Sequence, residues 1–125
     1  MSIVHSYGKV EIPINEKEFI IIETKGEDGY EWKEVSFQTK DEKEIFIGSY
    51  YTYNYSSSRE WIEYNNNVIA LLGVYACGNE ISDTYVQVIF DVNSKQLING
   101  SQEELLKIYI QEFKGISKKK TLTQK

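Results

Sequence analysis

Histidine, cysteine and arginine are almost missing from this chain, and each occurs once, as His5, Cys77 and Arg59. A single histidine leaves no Ser/His/Asp triad, Cys/His pair or multi-histidine metal site with a full set of sequence partners. A general base also needs a positioned partner, and none is evident near His5. The sequence therefore predicts no catalytic centre, no metal site and no cofactor.

The single cysteine excludes an internal disulfide, and long apolar runs are absent as well. The longest is Val68 to Cys77, ten residues, against the ~20 that a membrane-spanning helix needs. The first residues do not resemble a secretory signal. We therefore predict a cytoplasmic protein that does not bind membranes. Cys77 ends the apolar run without a neighbouring cation, which predicts a buried, slowly reacting thiol.

Charge is unevenly distributed along the chain. The net charge is −5, but four of the fourteen cationic residues fall in the last eight positions. Residues 1 to 117 carry 10 cations against 19 anions, a net charge of −9. We predict one globular domain over 1–116 and a disordered basic tail over 117–125. An acidic body repels nucleic acid and favours a basic protein partner.

Residue usage indicates the kind of genome that encodes the chain. Lysine outnumbers arginine thirteen to one, and isoleucine outnumbers alanine sixteen to two. A/T-rich codons favour both biases. We therefore expect a low-G+C bacterium or a phage as the source.

Short segments of alternating apolar and polar residues fill most of the chain, which predicts an antiparallel meander of about six to eight strands. The first contains Pro13, which cannot donate a ladder hydrogen bond and so indicates an edge. The segment Thr84 to Val92 alternates clearly, with Val86, Val88, Phe90 and Val92 expected inward. The apolar run from Val68 could form either a strand or a helix, and its neighbours favour a strand.

Two irregularities concern the aromatic segments. Tyr30 and Trp32 stand at even-numbered positions, whereas Val35 and Phe37 stand at odd-numbered positions. If all four side chains point inward, one extra residue is needed between the two pairs, which predicts a β-bulge near Lys33 or Glu34. From residue 45 to residue 55, apolar and aromatic residues recur at odd-numbered positions, which predicts one long strand. These residues are Ile45, Ile47, Tyr51, Tyr53 and Tyr55.

A hairpin is expected after this long strand. A four-residue turn would pair Tyr51 with Tyr64 and leave Trp61 exposed, whereas a three-residue turn would place Trp61 beside Tyr53 on the apolar face. In the first register, Trp61→Ala should weaken partner binding and leave the melting temperature almost unchanged.

The best-marked single element is a C-terminal helix over about Gln102 to Lys114. Ser101 and Glu104 have the spacing of a capping box, and Gly115 supplies a stop. One apolar stripe, Leu105, Leu106, Tyr109, Ile110 and Phe113, should close the core. The predicted fold is mainly β (α+β), with a meander or small barrel closed by this helix. Such an arrangement resembles pleckstrin-homology-like domains and is compatible with calycin-like barrels.

The segment from Ser49 to Asn67 has the composition of a recognition surface. Tyrosine and tryptophan give contact area at low entropic cost, while serine and asparagine adapt to a partner. The same tyrosines could instead be half-buried strand residues. The expected partner-binding residues are Tyr50, Asn54, Arg59, Trp61 and Glu63.

Three functions remain open from the sequence. The first is a non-enzymatic protein-binding module, an inhibitor or immunity-type protein that neutralises a basic toxin or nuclease. The second is a small-ligand-binding β-barrel or pleckstrin-homology-like domain. The third is a small enzyme that uses paired carboxylates, such as Glu60 with Glu63, or Asp41, Glu42 and Glu44.

Overall fold

In the part of the chain that the structure describes, eight antiparallel strands are arranged as two four-stranded sheets. The computed structural model describes residues 3–41, 43–51, 59–74 and 84–114. The predictions for Asn54, Cys77, the turn after residue 55 and the tail over 117–125 lie outside these ranges. Sheet A contains β1 His5–Pro13, β2 Glu18–Glu27, β3 Tyr30–Thr39 and β4 Glu44–Tyr51. Sheet B contains β5 Arg59–Tyr64, β6 Val68–Val74, β7 Thr84–Asp91 and β8 Gln96–Leu97.

The helix begins where the capping signal places it. Helix α1 covers Gln102–Tyr109 and continues as a π-helical turn over Ile110–Lys114. The Ser101 hydroxyl accepts a bond from the Glu104 backbone N–H at 3.2 Å, and the Glu104 carboxylate accepts one from the Ser101 N–H at 2.8 Å. Leu105, Tyr109 and Phe113 are buried. The mainly β prediction with one C-terminal helix is confirmed.

Sheet A, sheet B and the helix form three layers. Between the sheets lie Ile20, Val35 and Phe37 of sheet A and Ile69, Leu71 and Phe90 of sheet B. Between sheet B and the helix lie Val68, Ala70, Leu72, Val86, Ile89, Leu105, Tyr109 and Phe113. In the described part of the chain the strands form two separate sheets and do not close into the small barrel that was one of the two expected arrangements.

Strand β6 explains the long apolar run. All seven of its residues are buried, because sheet A covers one face and the helix covers the other. A strand buried on both faces shows no alternation of polar and apolar residues. The favoured strand interpretation is therefore confirmed for Val68–Val74.

The predicted bulge near Lys33 and Glu34 is wrong. Strands β2 and β3 pair without interruption from Glu18 and Thr39 to Glu27 and Tyr30. The extra residue lies instead in β4, where Val35 pairs with Gly48 and Ser36 pairs with Phe46, leaving Ile47 between them.

The β4 bulge reverses the alternation after Ile47. Tyr50 is therefore half-buried against the core between the sheets, and Tyr51 is 48% exposed. Tyr30 is 55% exposed, so it does not point inward with Val35 as expected.

The structure also contradicts one expected strand pairing and one expected set of inward residues. Tyr51 and Tyr64 do not pair, because β4 belongs to sheet A and β5 to sheet B. In β7 the pairing shifts between Val86 and Val88, so Val86 faces the helix while Val88 and Phe90 face sheet A.

Candidate functional site

The structure describes four of the five predicted partner-binding residues and does not unite these four in one surface. Tyr50 packs between the sheets, whereas Trp61 packs against the core beneath the helix. Glu63 is 1% exposed, so its expected outward position is wrong. Arg59 is exposed at the start of β5, and Asn54 lies outside the described residues. The sequence argument assumed one apolar face per strand, but β5 packs on both faces, with Ile62 between the sheets and Trp61 beneath the helix.

Glu63 serves a structural contact beneath the helix. Its Oε2 atom accepts hydrogen bonds from the Trp61 indole N–H at 2.9 Å and from the Tyr109 hydroxyl at 3.2 Å. Within the described residues, no group donates to its Oε1 atom. Burial, followed by the negative charge of Glu63, raises the pKa of Tyr109. This cluster joins β5 to the helix.

Glu60, the other half of the suggested carboxylate pair, is also used structurally. One of its oxygens accepts the Tyr51 backbone N–H at 2.8 Å, and the other accepts the Tyr85 hydroxyl at 3.1 Å. Glu60 thereby links the end of β4 to sheet B.

The outer face of sheet A, the face turned away from sheet B, carries exposed aromatic side chains. Phe46 is 56% exposed, and Tyr30 and Tyr51 are exposed to a similar degree. The register places three rows of neighbours across this face: Glu11, Ile21, Ser36 and Phe46; Lys9, Glu23, Glu34 and Ser49; Ser6, Lys25, Trp32 and Tyr51. A soluble protein leaves such aromatic side chains exposed in clusters mainly at binding surfaces.

The same face is acidic. The outward positions of its four strands carry two lysines, Lys9 and Lys25, against five glutamates, Glu11, Glu23, Glu27, Glu34 and Glu44. Lys25 is neutralised locally, because its ammonium group lies 3.1 Å from the Glu34 carboxylate. The face therefore combines aromatic contact area with net negative charge.

Trp32 is held in place by the same local contact that holds Trp61. In each case the indole N–H donates to a glutamate two residues later on the same strand face, and the Trp32 to Glu34 distance is 3.0 Å. The hydrogen bond from Trp32 lowers the pKa of Glu34, partial burial opposes this shift, and the contact with Lys25 lowers the pKa further. The contact fixes the Trp32 ring beside Tyr51.

A cleft of about 320 Å³ opens at this end of the outer face. Its lining contains Tyr30, Trp32 and Tyr51 together with Glu27, Asp28 and Ser49. Asp28 and Gly29 both have positive φ, 54° and 84°, as in the two-residue hairpin turns that Asp-Gly favours. The turn thus places two carboxylates beside three aromatic rings.

The sequence reasoning missed this cleft because it took Tyr51 as inward-facing. The signal that could have found it is the Trp-x-Glu spacing at Trp32 and Glu34 together with the adjacent Asp-Gly turn. The bulge that turns Tyr51 outward leaves no comparable mark in the sequence.

Other classes of site are not seen in the described ranges. No three His, Cys, Asp or Glu side chains there come together as a metal site would require. No helix in the described part of the chain is both long and apolar enough to cross a bilayer.

Comparison with known proteins identifies no relative. No family model, no curated protein and no solved structure matches this chain.

Proposed function

We propose that this chain is a protein-binding module that recognises a basic partner through the outer face of sheet A. The observation that carries the proposal is the combination, on one sheet face, of exposed aromatic residues with an excess of glutamates. A few residues carry most of the binding free energy in protein interfaces, and tryptophan and tyrosine are enriched among them. Glutamates around them raise the association rate of a positively charged partner.

The acidic body of the chain supports the same class of partner. A net charge of −9 over residues 1–117 disfavours self-association through this face and attracts basic proteins. We further propose an inhibitor or immunity-type role, in which the chain covers a basic toxin or nuclease. This role requires only a stable complex.

A photo-crosslinking experiment tests where the partner binds. The crosslinking amino acid p-benzoylphenylalanine replaces Phe46 on sheet A or, as the control, Ile110 on the helix layer, which is 38% exposed. The full chain is irradiated in a lysate of the organism that encodes it, and the products are identified by mass spectrometry. We expect a basic protein crosslinked at Phe46 and not at Ile110. An acidic product, equal products at both positions, or none at Phe46 would refute the proposal.

Two matched charge reversals test whether the negative charge of the outer face of sheet A raises the association rate. Glu44→Lys changes an exposed residue of the binding face, and Glu103→Lys makes the same charge change on the helix layer. With the identified partner, Glu44→Lys should slow association by roughly three- to ten-fold at low salt, and Glu103→Lys should change it much less. The difference should nearly vanish at about 1 M salt, where the Debye length is about 3 Å. Equal effects of the two reversals would contradict the proposal.

A further inference from the structure

We propose that the cleft formed by Tyr30, Trp32 and Tyr51 receives an arginine side chain of the partner. This inference rests on the proposed function, since the arginine belongs to the basic protein that covers sheet A. It assigns the cleft as the anchoring point of that complex.

Three aromatic side chains line the cleft. Trp32 and Tyr51 are direct cross-strand neighbours, and Tyr30 lies on the same face of β3, two residues from Trp32. Cations are attracted to the faces of aromatic rings, and tryptophan is the strongest of the three common ring types. The bond from Trp32 to Glu34 fixes the indole before any ligand arrives. A side chain entering the cleft therefore meets an ordered ring.

The charges around the cleft favour a guanidinium group. Glu27 and Asp28 line the cleft beside the rings and supply negative charge. Arginine both stacks on aromatic rings and donates paired hydrogen bonds to carboxylates, whereas lysine presents a compact and strongly hydrated charge.

Among the described residues that line the cleft there is no lysine. Lys25 is the cross-strand neighbour of Trp32, but its ammonium group contacts Glu34. Lys25 and Glu34 line a separate hollow of about 400 Å³, together with Phe46 and Glu44. The two hollows lie side by side on sheet A, and only the first has three aromatic rings.

Two tryptophans make a direct binding test possible in the intact chain. Trp32 and Trp61 each give one indole N–H signal in a ¹H–¹⁵N NMR spectrum, and Trp61 lies beneath the helix, away from the cleft. The protein is titrated with acetyl-Gly-Arg-Gly-amide, with its neutral citrulline analogue and with tetramethylammonium chloride, at constant ionic strength. We expect the arginine peptide to shift the Trp32 signal in a saturable way and to leave the Trp61 signal unchanged.

Each other outcome refutes the proposal. An equal shift with the citrulline peptide would show that charge is not recognised. A shift with tetramethylammonium alone would make the cleft a site for a small quaternary ammonium ion. Equal shifts of both indole signals would indicate a nonspecific effect on the whole protein.

A matched pair of variants tests whether the rings of the cleft bind the arginine peptide. Tyr51→Leu removes a ring from the cleft, and Phe46→Leu removes an exposed ring from the neighbouring hollow. Tyr51→Leu should weaken binding of the arginine peptide by about two- to five-fold, whereas Phe46→Leu should not change it. Thermal melts confirm that both variants fold.

The two proposals can fail separately. If Glu44→Lys slows association with the partner but Tyr51→Leu changes neither peptide nor partner binding, the arginine anchor is wrong and the binding face is retained. If the peptide binds at Trp32 but the partner crosslinks elsewhere, the assignment of that arginine to the partner is wrong.

Discussion

The two Trp-x-Glu contacts, at Trp32 and Trp61, lie in different surroundings, and this difference predicts different effects of the same substitution on stability. Trp61→Phe and Trp32→Phe make the same chemical change in the same local motif, and each removes the indole N–H that bonds a glutamate two residues later. Both tryptophans are half-buried strand residues. The two variants therefore differ mainly in the surroundings of the glutamate that loses its donor.

The burial of each glutamate determines how much unfolding free energy is lost when its tryptophan donor is removed. Glu63 is 1% exposed, and after the change only Tyr109 still donates to it among the described residues. Removing a donor from a buried polar group costs about 1–3 kcal/mol. The Glu34 side chain is 29% exposed and contacts Lys25, so water can replace the lost donor. The loss there should be below about 0.5 kcal/mol.

The assay is urea unfolding followed by far-ultraviolet circular dichroism, because each variant lacks one of the two fluorescent indoles. Trp61→Phe should lower the unfolding free energy by about 1–3 kcal/mol and the melting temperature by roughly 4–12 °C. Trp32→Phe should lower the melting temperature by no more than about 2 °C. Equal losses, or a larger loss for Trp32→Phe, would refute the assignment of Trp61 and Glu63 to the core. Of the two turn registers that the sequence left open, the four-residue turn predicts an almost unchanged melting temperature for Trp61→Ala, whereas the three-residue turn predicts a core indole and earlier unfolding.

Two further predictions concern pH and packing. Because the pKa of Tyr109 is raised in the folded state, its contribution to stability is fully present below the unfolded tyrosine pKa of about 10 and is lost as pH rises above it. Between about pH 9 and 11, the unfolding free energy measured in urea should therefore fall more for the unchanged chain than for Tyr109→Phe. A difference between the two chains that stays constant over this pH range would contradict the prediction. A Cβ atom at Gly73 would collide with the Tyr85 ring, so Gly73→Ala should lower the unfolding free energy by about 1–3 kcal/mol. In a Tyr85→Ala background the same change should cost much less, and equal costs in both backgrounds would show that Tyr85 is not the obstacle.

Local signals in the sequence predicted the elements well. The capping box at Ser101 and Glu104 depends on residues three positions apart, so the sequence contains all the information that places the helix start. Alternation identified most strands in the same way, because neighbouring side chains of a strand point to opposite faces.

The layer that covers each strand face could not be predicted in this way. Alternation shows that Trp61 and Glu63 share a face of β5, but not that a helix some forty residues later packs on it. The shift at Ile47 likewise depends on how β4 pairs with β3. Because of this bulge, Tyr50 packs against the core and Tyr51 points outward, where it lines the cleft.

The order of the strands also determines how the chain can fold. Every hydrogen-bonded strand pair described above joins strands that are consecutive in sequence. Such hairpins close short loops, and the entropy lost on closing a loop grows with its length. Pairing within each sheet is therefore a local process that can start independently in the two halves of the chain. We therefore expect the slow step to be the long-range docking of sheet A and the helix onto the two faces of β6, which removes the apolar surface of that strand from water.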